Sequence, residues 1–308
     1  MRASPPDVSP AAVFLKRSGY GFWWTALTAL ALLCSLVLVH LDSQYGPLLP
    51  GERTISDNVE RGVFFERGLF YPRGERAYVD VFSEYPALAT LAFAIPFVFD
   101  SELDIDKYGV MWSYFMGLVF LLMLWVLQES RRGLGLDLWP IIVMASPGIL
   151  YFSLNRFDLL PAMVCCTSLL AFSRKSYLAA YVLLGIGVHV KWYPAVIAPV
   201  YVAYHLNAEG LIGSRFRGFF RSQTWFYTGA FLSTVFALVG ASIFAFGWEG
   251  FLVPYAFHGG RESQFLNAYW VVHHGMESLG FWQSSRSAID LLFILAQLSI
   301  LPILFFGE

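Results

Sequence analysis

The sequence predicts an all-α integral membrane protein, a polytopic helical bundle of about eight apolar segments, some of them broken or re-entrant. Three observations predict it. Hydrophobic residues make up 57% of the 308 and charged ones only 14%, against roughly 25% charged in an ordinary soluble domain. The apolar runs are long and continuous rather than the roughly ten-residue alternating strands of a membrane barrel. Several runs are short or carry a proline (Pro96, Pro147, Pro161, Pro194), as happens where membrane helices break around a polar cavity.

The N-terminus, MRASPPDVSPAAVFLKRSGY, is polar and proline-rich, and a run of about 20 apolar residues follows at 22–41. That run is long for a signal peptide and lacks a small-residue cleavage site, so it reads as a retained first span. Lys16 and Arg17 ahead of it assign the tail 1–21 to the cytoplasm and residues after 41 to the outside. The rest of the chain, 22–308, reads as one polytopic domain. Its further apolar segments lie at 86–99, 108–128, 138–154, 157–172, 177–204, 225–247 and 288–307. Two long polar stretches, 42–85 and 248–287, are read as external loops, and VERGVFFERGLFYP in the first suggests a short interfacial helix. Cys34, Cys165 and Cys166 sit in apolar runs without metal-ligand spacing and read as inert buried thiols. The formal net charge of −2 offers no basic surface for nucleic acid.

If every apolar segment crossed once, Arg131, Arg132, Arg174 and Lys175 would fall outside, against the positive-inside rule. Making 86–99 re-entrant and breaking 177–204 at 191–194 returns them to the cytoplasm with Arg215, Arg217 and Arg221. It also gathers 155–158, 191–194 and both long loops on the outer side. This arrangement is preferred because one adjustment repairs every cationic loop.

The polar residues on that side are the candidates for chemistry. Asp57, Asp80 and Glu84 in the first loop are groups that act as a general base toward a hydroxyl, hold a divalent cation, or are simply solvated. Asp80 and Glu84 share a face if their segment is helical. Arg156 and Asp158 lie between two apolar segments almost without a loop, either as an interfacial ion pair or as an anion-binding arginine steadied by its neighbour. Lys191 is the only full charge in 177–204; a lysine at the bilayer centre costs about 2.5–3.5 kcal/mol on insertion scales, so it needs a partner, a route to the interface or a wet cavity. In the last loop His258, Arg261 and Glu262 surround a Gly-Gly turn, with the first two suited to a phosphate and Glu262 to a sugar hydroxyl or to Arg261. Neither a Ser/His/Asp order nor an HExxH-type motif is present. Acids and cations converging beside a membrane suit a lipid phosphate whose polar end reacts outside while its tail stays in the bilayer.

Four ordered stretches, DNVERG at 57–62, YVDVFSEYPAL at 78–88, RFDLLPA at 156–162 and LGIGVHVKWYP at 184–194, resemble the polyprenyl-phosphate-mannose-dependent mannosyltransferases of the bacterial glycosyltransferase family 87 type, which have the GT-C fold. The resemblance covers roughly 20–270. It implies a multi-pass enzyme of the bacterial inner membrane with its active site on the periplasmic side. Such an enzyme transfers a sugar, usually mannose, with inversion from a polyprenyl-phosphate donor to an acceptor hydroxyl on a glycolipid, glycan or protein. Asp57 is the expected catalytic base, with Asp80 second. Arg156, Lys191 and Arg261 are expected on the phosphate, and Glu84, Asp158, Tyr193, His258 and Glu262 complete the expected substrate-binding set. No cofactor is assigned, a divalent cation at Asp80 and Glu84 being the one considered. The late-loop order Arg261-Glu262-Ser263-Gln264 departs from the family pattern, and the chain stops at FFGE where relatives continue. The competing readings are a lipid-phosphate flippase or transporter, using the same lysine and broken helices, and a shortened non-catalytic relative.

Overall fold

The computed structural model describes residues 20–45, 58–134, 137–209 and 223–260, and within them the protein is helical, with a single isolated bridge between Ala77 and Val81. Among the described residues three helices are long and apolar enough to cross a membrane: Phe22–Tyr45, Ile105–Gly133 and Thr224–His258. A fourth span results if Pro147–Asn155 and Leu159–Ser173, bent by 106° at their break, are counted as one. The protein is therefore a helical membrane protein, and among the described residues three helices, or four with the bent pair, are of spanning length rather than eight. The segment 288–307, the tail 1–19 and Arg215, Arg217 and Arg221 lie outside the described residues.

Helix α1 (Tyr20–Tyr45) points Phe22, Trp23, Leu27, Leu30 and Leu33 outward and buries Leu32 and Val39. In lipid that outward face needs no cover. Helices α2 (Asn58–Gly68) and α3 (Phe70–Arg73) follow. The stretch expected to form a short interfacial helix is helical, and it packs into the bundle through Phe64 and Phe70. Residues 74–86 form an irregular turn rather than a helix, so Asp80 and Glu84 do not share a helical face. Tyr78 stands there at φ 67°, an uncommon conformation for a bulky residue. Its hydroxyl bonds the Tyr85 carbonyl at 2.7 Å and Thr90 at 2.9 Å, which fixes the turn.

Helix α4 (Ala87–Phe99) has 13 residues and α9 (Tyr177–Val190) has 14. At about 1.5 Å per residue each reaches about 20 Å, short of a hydrocarbon core of roughly 30 Å. Helix α5 (Ile105–Leu134) is the central column, with Asp104 accepting the Lys107 N–H at 2.8 Å at its start and Arg131 and Arg132 in its last turn. Both placements complement the helix dipole. Helices α6 (Trp139–Met144), α7 (Pro147–Asn155) and α8 (Leu159–Ser173) follow, with Pro147 in the first turn of α7 and Pro161 in the first turn of α8. Proline is tolerated there because first-turn N–H groups have no intrahelical partner.

After α9 the chain turns extended at Lys191 (φ −158°, ψ 144°), makes a 3-10 turn at Tyr193–Val196 that contains Pro194, and resumes as α10 (Ile197–Ala208). The break falls at 191–194. Helix α11 (Thr224–Gly260) runs well past 247, so the first part of the stretch read as the external loop 248–287 is helical. It bends at Gly247, whose φ of 74° and ψ of 170° belong to a region that is essentially glycine-only.

An aromatic core joins α2, α4, α5 and the α7–α8 break: Phe64 stacks on Phe93 at 4.7 Å, and Phe157 meets Phe64, Phe93 and Tyr85 edge-on at 6.0, 5.5 and 5.0 Å. A second cluster (Tyr181, Leu184 and Tyr201) binds α9 and α10, with α9 lying between α8 and α11. Two ends of the bundle result. Glu129 near the end of α5 bonds Arg174 at 2.5 Å and Arg132 at 3.0 Å, which puts the basic groups of α5 and α8 together. The α7–α8 break, the α9 break and the end of α11 meet at the opposite end.

Candidate functional site

At that opposite end lies a cavity of about 570 Å³. Glu84, Arg156, Asp158, Lys191, Tyr193 and His258 all line it, together with the rings of Phe64, Tyr85, Phe157, Trp192 and Phe257. Six of the ten sequence-predicted site residues, drawn from four separate chain segments, therefore share one cavity. Its polar groups come from chain breaks: the turn before α4, the α7–α8 corner, the α9 break and the last turns of α11.

Four of these side chains, Glu84, Asp158, Lys191 and His258, are held by specific neighbours. Asp158 accepts a hydrogen bond from the Lys191 ammonium, which also sits 4.9 Å above the centre of the Phe157 ring. Asp158, read from the sequence as a partner of Arg156 either in an interfacial ion pair or in support of an anion-binding arginine, bonds Lys191. Glu84 accepts from the Arg67 guanidinium at 2.7 Å, and Arg67 lies 5.0 Å over the Phe82 ring. The Nε2–H of His258 donates to the Glu84 carbonyl at 3.0 Å, since a carbonyl only accepts. Trp192 stacks on Tyr255 at 5.2 Å and meets His258 edge-on at 4.9 Å, packing the end of α11 against the cavity.

Asp80 lies elsewhere. It opens onto a second, shallower hollow of about 700 Å³ with Glu66, Arg67, Arg73 and Asp104. Its carboxylate accepts from the Arg76 amide at 2.9 Å and the Arg76 guanidinium at 3.2 Å, bonds that hold its pKa below the ordinary aspartate value. Asp80 and Glu84 are thus committed to different arginines and face different hollows, so they do not converge on a shared cation. Among the described residues no group of three or more His, Cys, Asp or Glu side chains is placed to hold a metal. Asp57, Arg261 and Glu262 lie outside the described residues.

Sequence reasoning missed Arg67, Trp192 and Tyr78. The signal for Arg67 was present, since VERGVFFERG carries ERG twice. The first arginine, Arg61, is buried against α5 and paired with Asp106 at 3.6 Å, while the second reaches Glu84. Nothing in the sequence marks Tyr78, whose phenol is buried and accordingly has its pKa pushed up, keeping it a neutral hydroxyl.

Comparison with protein-family models, with curated proteins and with solved structures yields no match. Fold and site together define a class: a helical membrane protein with an aromatic-walled, mixed-charge cavity at one end of its bundle.

Proposed function

We propose that the chain is a membrane glycosyltransferase of the GT-C type that transfers a sugar, mannose in the first instance, from a polyprenyl-phosphate donor to an acceptor hydroxyl on the outer face, with inversion. One observation carries the reading: Lys191 and Arg156 line the same aromatic-walled cavity at helix breaks, among helices whose outward faces are apolar. Cations in such a place suit a phosphate, aromatic rings suit a sugar face, and a tail leaving sideways stays in lipid. Asp57, directly ahead of α2 in the chain, is the proposed base for the acceptor hydroxyl, and Glu84 and His258 are the proposed contacts to the sugar. Positive charge at the other end, on Arg131, Arg132, Arg174 and Lys175, agrees with a cytoplasmic placement of that end and an external cavity.

The test is an assay of membranes containing the full chain with radiolabelled polyprenyl-phosphate mannose, wild type beside Asp57→Asn and Lys191→Gln. Label should pass to a membrane or envelope acceptor in the wild type, disappear with Asp57→Asn while donor binding persists, and fall with Lys191→Gln through weaker donor binding. Undiminished transfer by Asp57→Asn rejects Asp57 as the base. Donor binding without transfer by the wild type rejects the enzyme and favours a flippase.

A further inference from the structure

We propose that Asp158 is an internal counter-anion that competes with the substrate's phosphate for Lys191, making the cavity respond to the charge of the phosphate: a dianionic monoester displaces the carboxylate more readily than a monoanionic diester. The inference rests on the lipid-phosphate reading above and adds a positioning role for a residue that does not itself engage the sugar.

The local backbone explains why the carboxylate is available. Asp158 occupies the N-cap position of α8, where an aspartate ordinarily accepts from the N–H two or three residues on. Here its φ and ψ are −58° and −23° and its side chain makes no cap bond. The Leu160 N–H is donated to the Phe157 carbonyl at 2.9 Å, and position 161 is a proline with no N–H. With neither ordinary cap donor on offer, the carboxylate turns to the Lys191 ammonium.

Lys191 is held differently. Its backbone N–H donates to Gly187 at 2.9 Å, and its ammonium lies over Phe157, which is 2% exposed and fixed in the aromatic core. Among the described residues the other carboxylate lining the cavity, Glu84, is committed to Arg67. Asp158 is therefore the anion set against Lys191, and the pair's exposures decide which partner can be left. The Asp158 side chain is 56% exposed and the Lys191 side chain 39%. Asp158 stays hydrated when the ammonium turns away, so no buried charge is stranded, and an exposed pair of this kind is readily exchanged. Phe157 keeps its cation–π contact as the ammonium pivots.

The charge change in the proposed reaction matches this exchange. The bond between the anomeric carbon and the phosphate oxygen breaks, and its electron pair remains on that oxygen. The acceptor oxygen bonds to the anomeric carbon, and its proton goes to the base. The phosphate thereby passes from a diester with one negative charge to a monoester carrying about −1.5 to −2 at pH 7. Lys191 moves toward the growing charge, and Asp158 takes it back when the lipid monophosphate leaves.

The experiment is isothermal titration of the detergent-solubilised full chain with a short-chain prenyl monophosphate, its methyl diester and inorganic phosphate. Asp158→Asn should bind the monoester roughly two- to fivefold more tightly than wild type, the range expected for removing an exposed competitor. It should also lower the monoester-to-diester preference, because the diester no longer has to displace the carboxylate, and Lys191→Gln should remove what preference the ammonium supplies. Asp158→Ser serves as a second variant, with thermal melts reporting whether each folds. Equal or weaker monoester binding by folded Asp158 variants overturns the inference and leaves phosphate binding by the wild type standing. No phosphate binding by the wild type overturns the donor reading together with it. Inorganic phosphate bound as tightly as the prenyl ester, with the same Asp158 response, supports the charge exchange and rejects the lipid donor.

Discussion

The Arg67–Glu84 pair connects the wall of the cavity to α2, and its worth follows from the geometry. The two side chains are 17% and 15% exposed and meet at 2.7 Å. A charge-assisted bond of this kind contributes about 1.5–3 kcal/mol. The guanidinium's position 5.0 Å over the Phe82 ring adds about 0.5–1 kcal/mol. Arg67→Met keeps most of the stem's packing but leaves the Glu84 carboxylate without its cation, so a loss of about 2–4 kcal/mol is expected. Glu84→Met costs less, because Arg67 retains Glu66 at 3.4 Å. The double variant removes both charges, and the sum of the single losses should exceed its loss by about 1.5–3 kcal/mol. Reversible unfolding in mixed detergent micelles measures all three. Donor binding should follow the same order, since an uncompensated Glu84 carboxylate faces the cavity proposed for the phosphate. Additivity within about 0.5 kcal/mol would refute the reasoning and reduce the pair to a surface contact.

Two further outcomes follow from other parts of the same end. A Cβ at Gly68 would stand 2.4 Å from the Phe93 carbonyl oxygen, which already accepts the Tyr108 hydroxyl at 2.9 Å; Gly68→Ala should destabilise by about 1–3 kcal/mol in a thermal melt, whereas Gly240→Ala, with nothing within 4 Å, should leave the melt unchanged. Arg76 depresses the Asp80 pKa in the folded state, so the stabilisation from Asp80 is fully present above its unfolded value of about 3.9 and is lost as pH falls through the lower folded value. The melting-temperature difference between wild type and Asp80→Asn should accordingly be level at neutral pH and shrink below about pH 4; a difference that grows on acidification contradicts the assignment.

Much of the fold is legible because membrane constraints are severe. The long helices α1, α5 and α11 are continuous apolar runs, and the break after α9 is written as a lysine three residues ahead of a proline. The gathering of six candidate residues around one cavity is legible for the same reason, since charges in an apolar chain have few places to go. What escaped depends on tertiary detail. A helix at 80–84 would have set both acids on one face, but the residues that shape the turn at 74–86 are Tyr78, Thr90 and Ser83, whose mutual hydroxyl bonds have no sequence period. Asp80 and Glu84, considered together for a cation, line two different hollows. The 248–260 stretch reads as the start of a long polar loop because of the ionisable side chains and aromatics around it, yet α11 carries the helix through it with a bend at Gly247.

The cavity lies where helices stop, and this has a physical cause. A helix that ends within a membrane leaves several carbonyls or N–H groups without intrahelical partners, and lipid offers none. Such ends persist only where protein or water satisfies them, so helix breaks and polar cavities occur together. Arg156 follows the last residue of α7, Asp158 precedes α8, Lys191 follows α9, and His258 stands two residues from the end of α11. Each polar side chain thus leaves the backbone at or within two residues of a helix end, where the terminal carbonyls already need polar partners other than lipid. Lys191 is tolerated in its apolar surroundings on those terms: Pro194 belongs to the short turn that ends the helical run, Asp158 supplies the opposing charge, and Phe157 supports the ammonium from below.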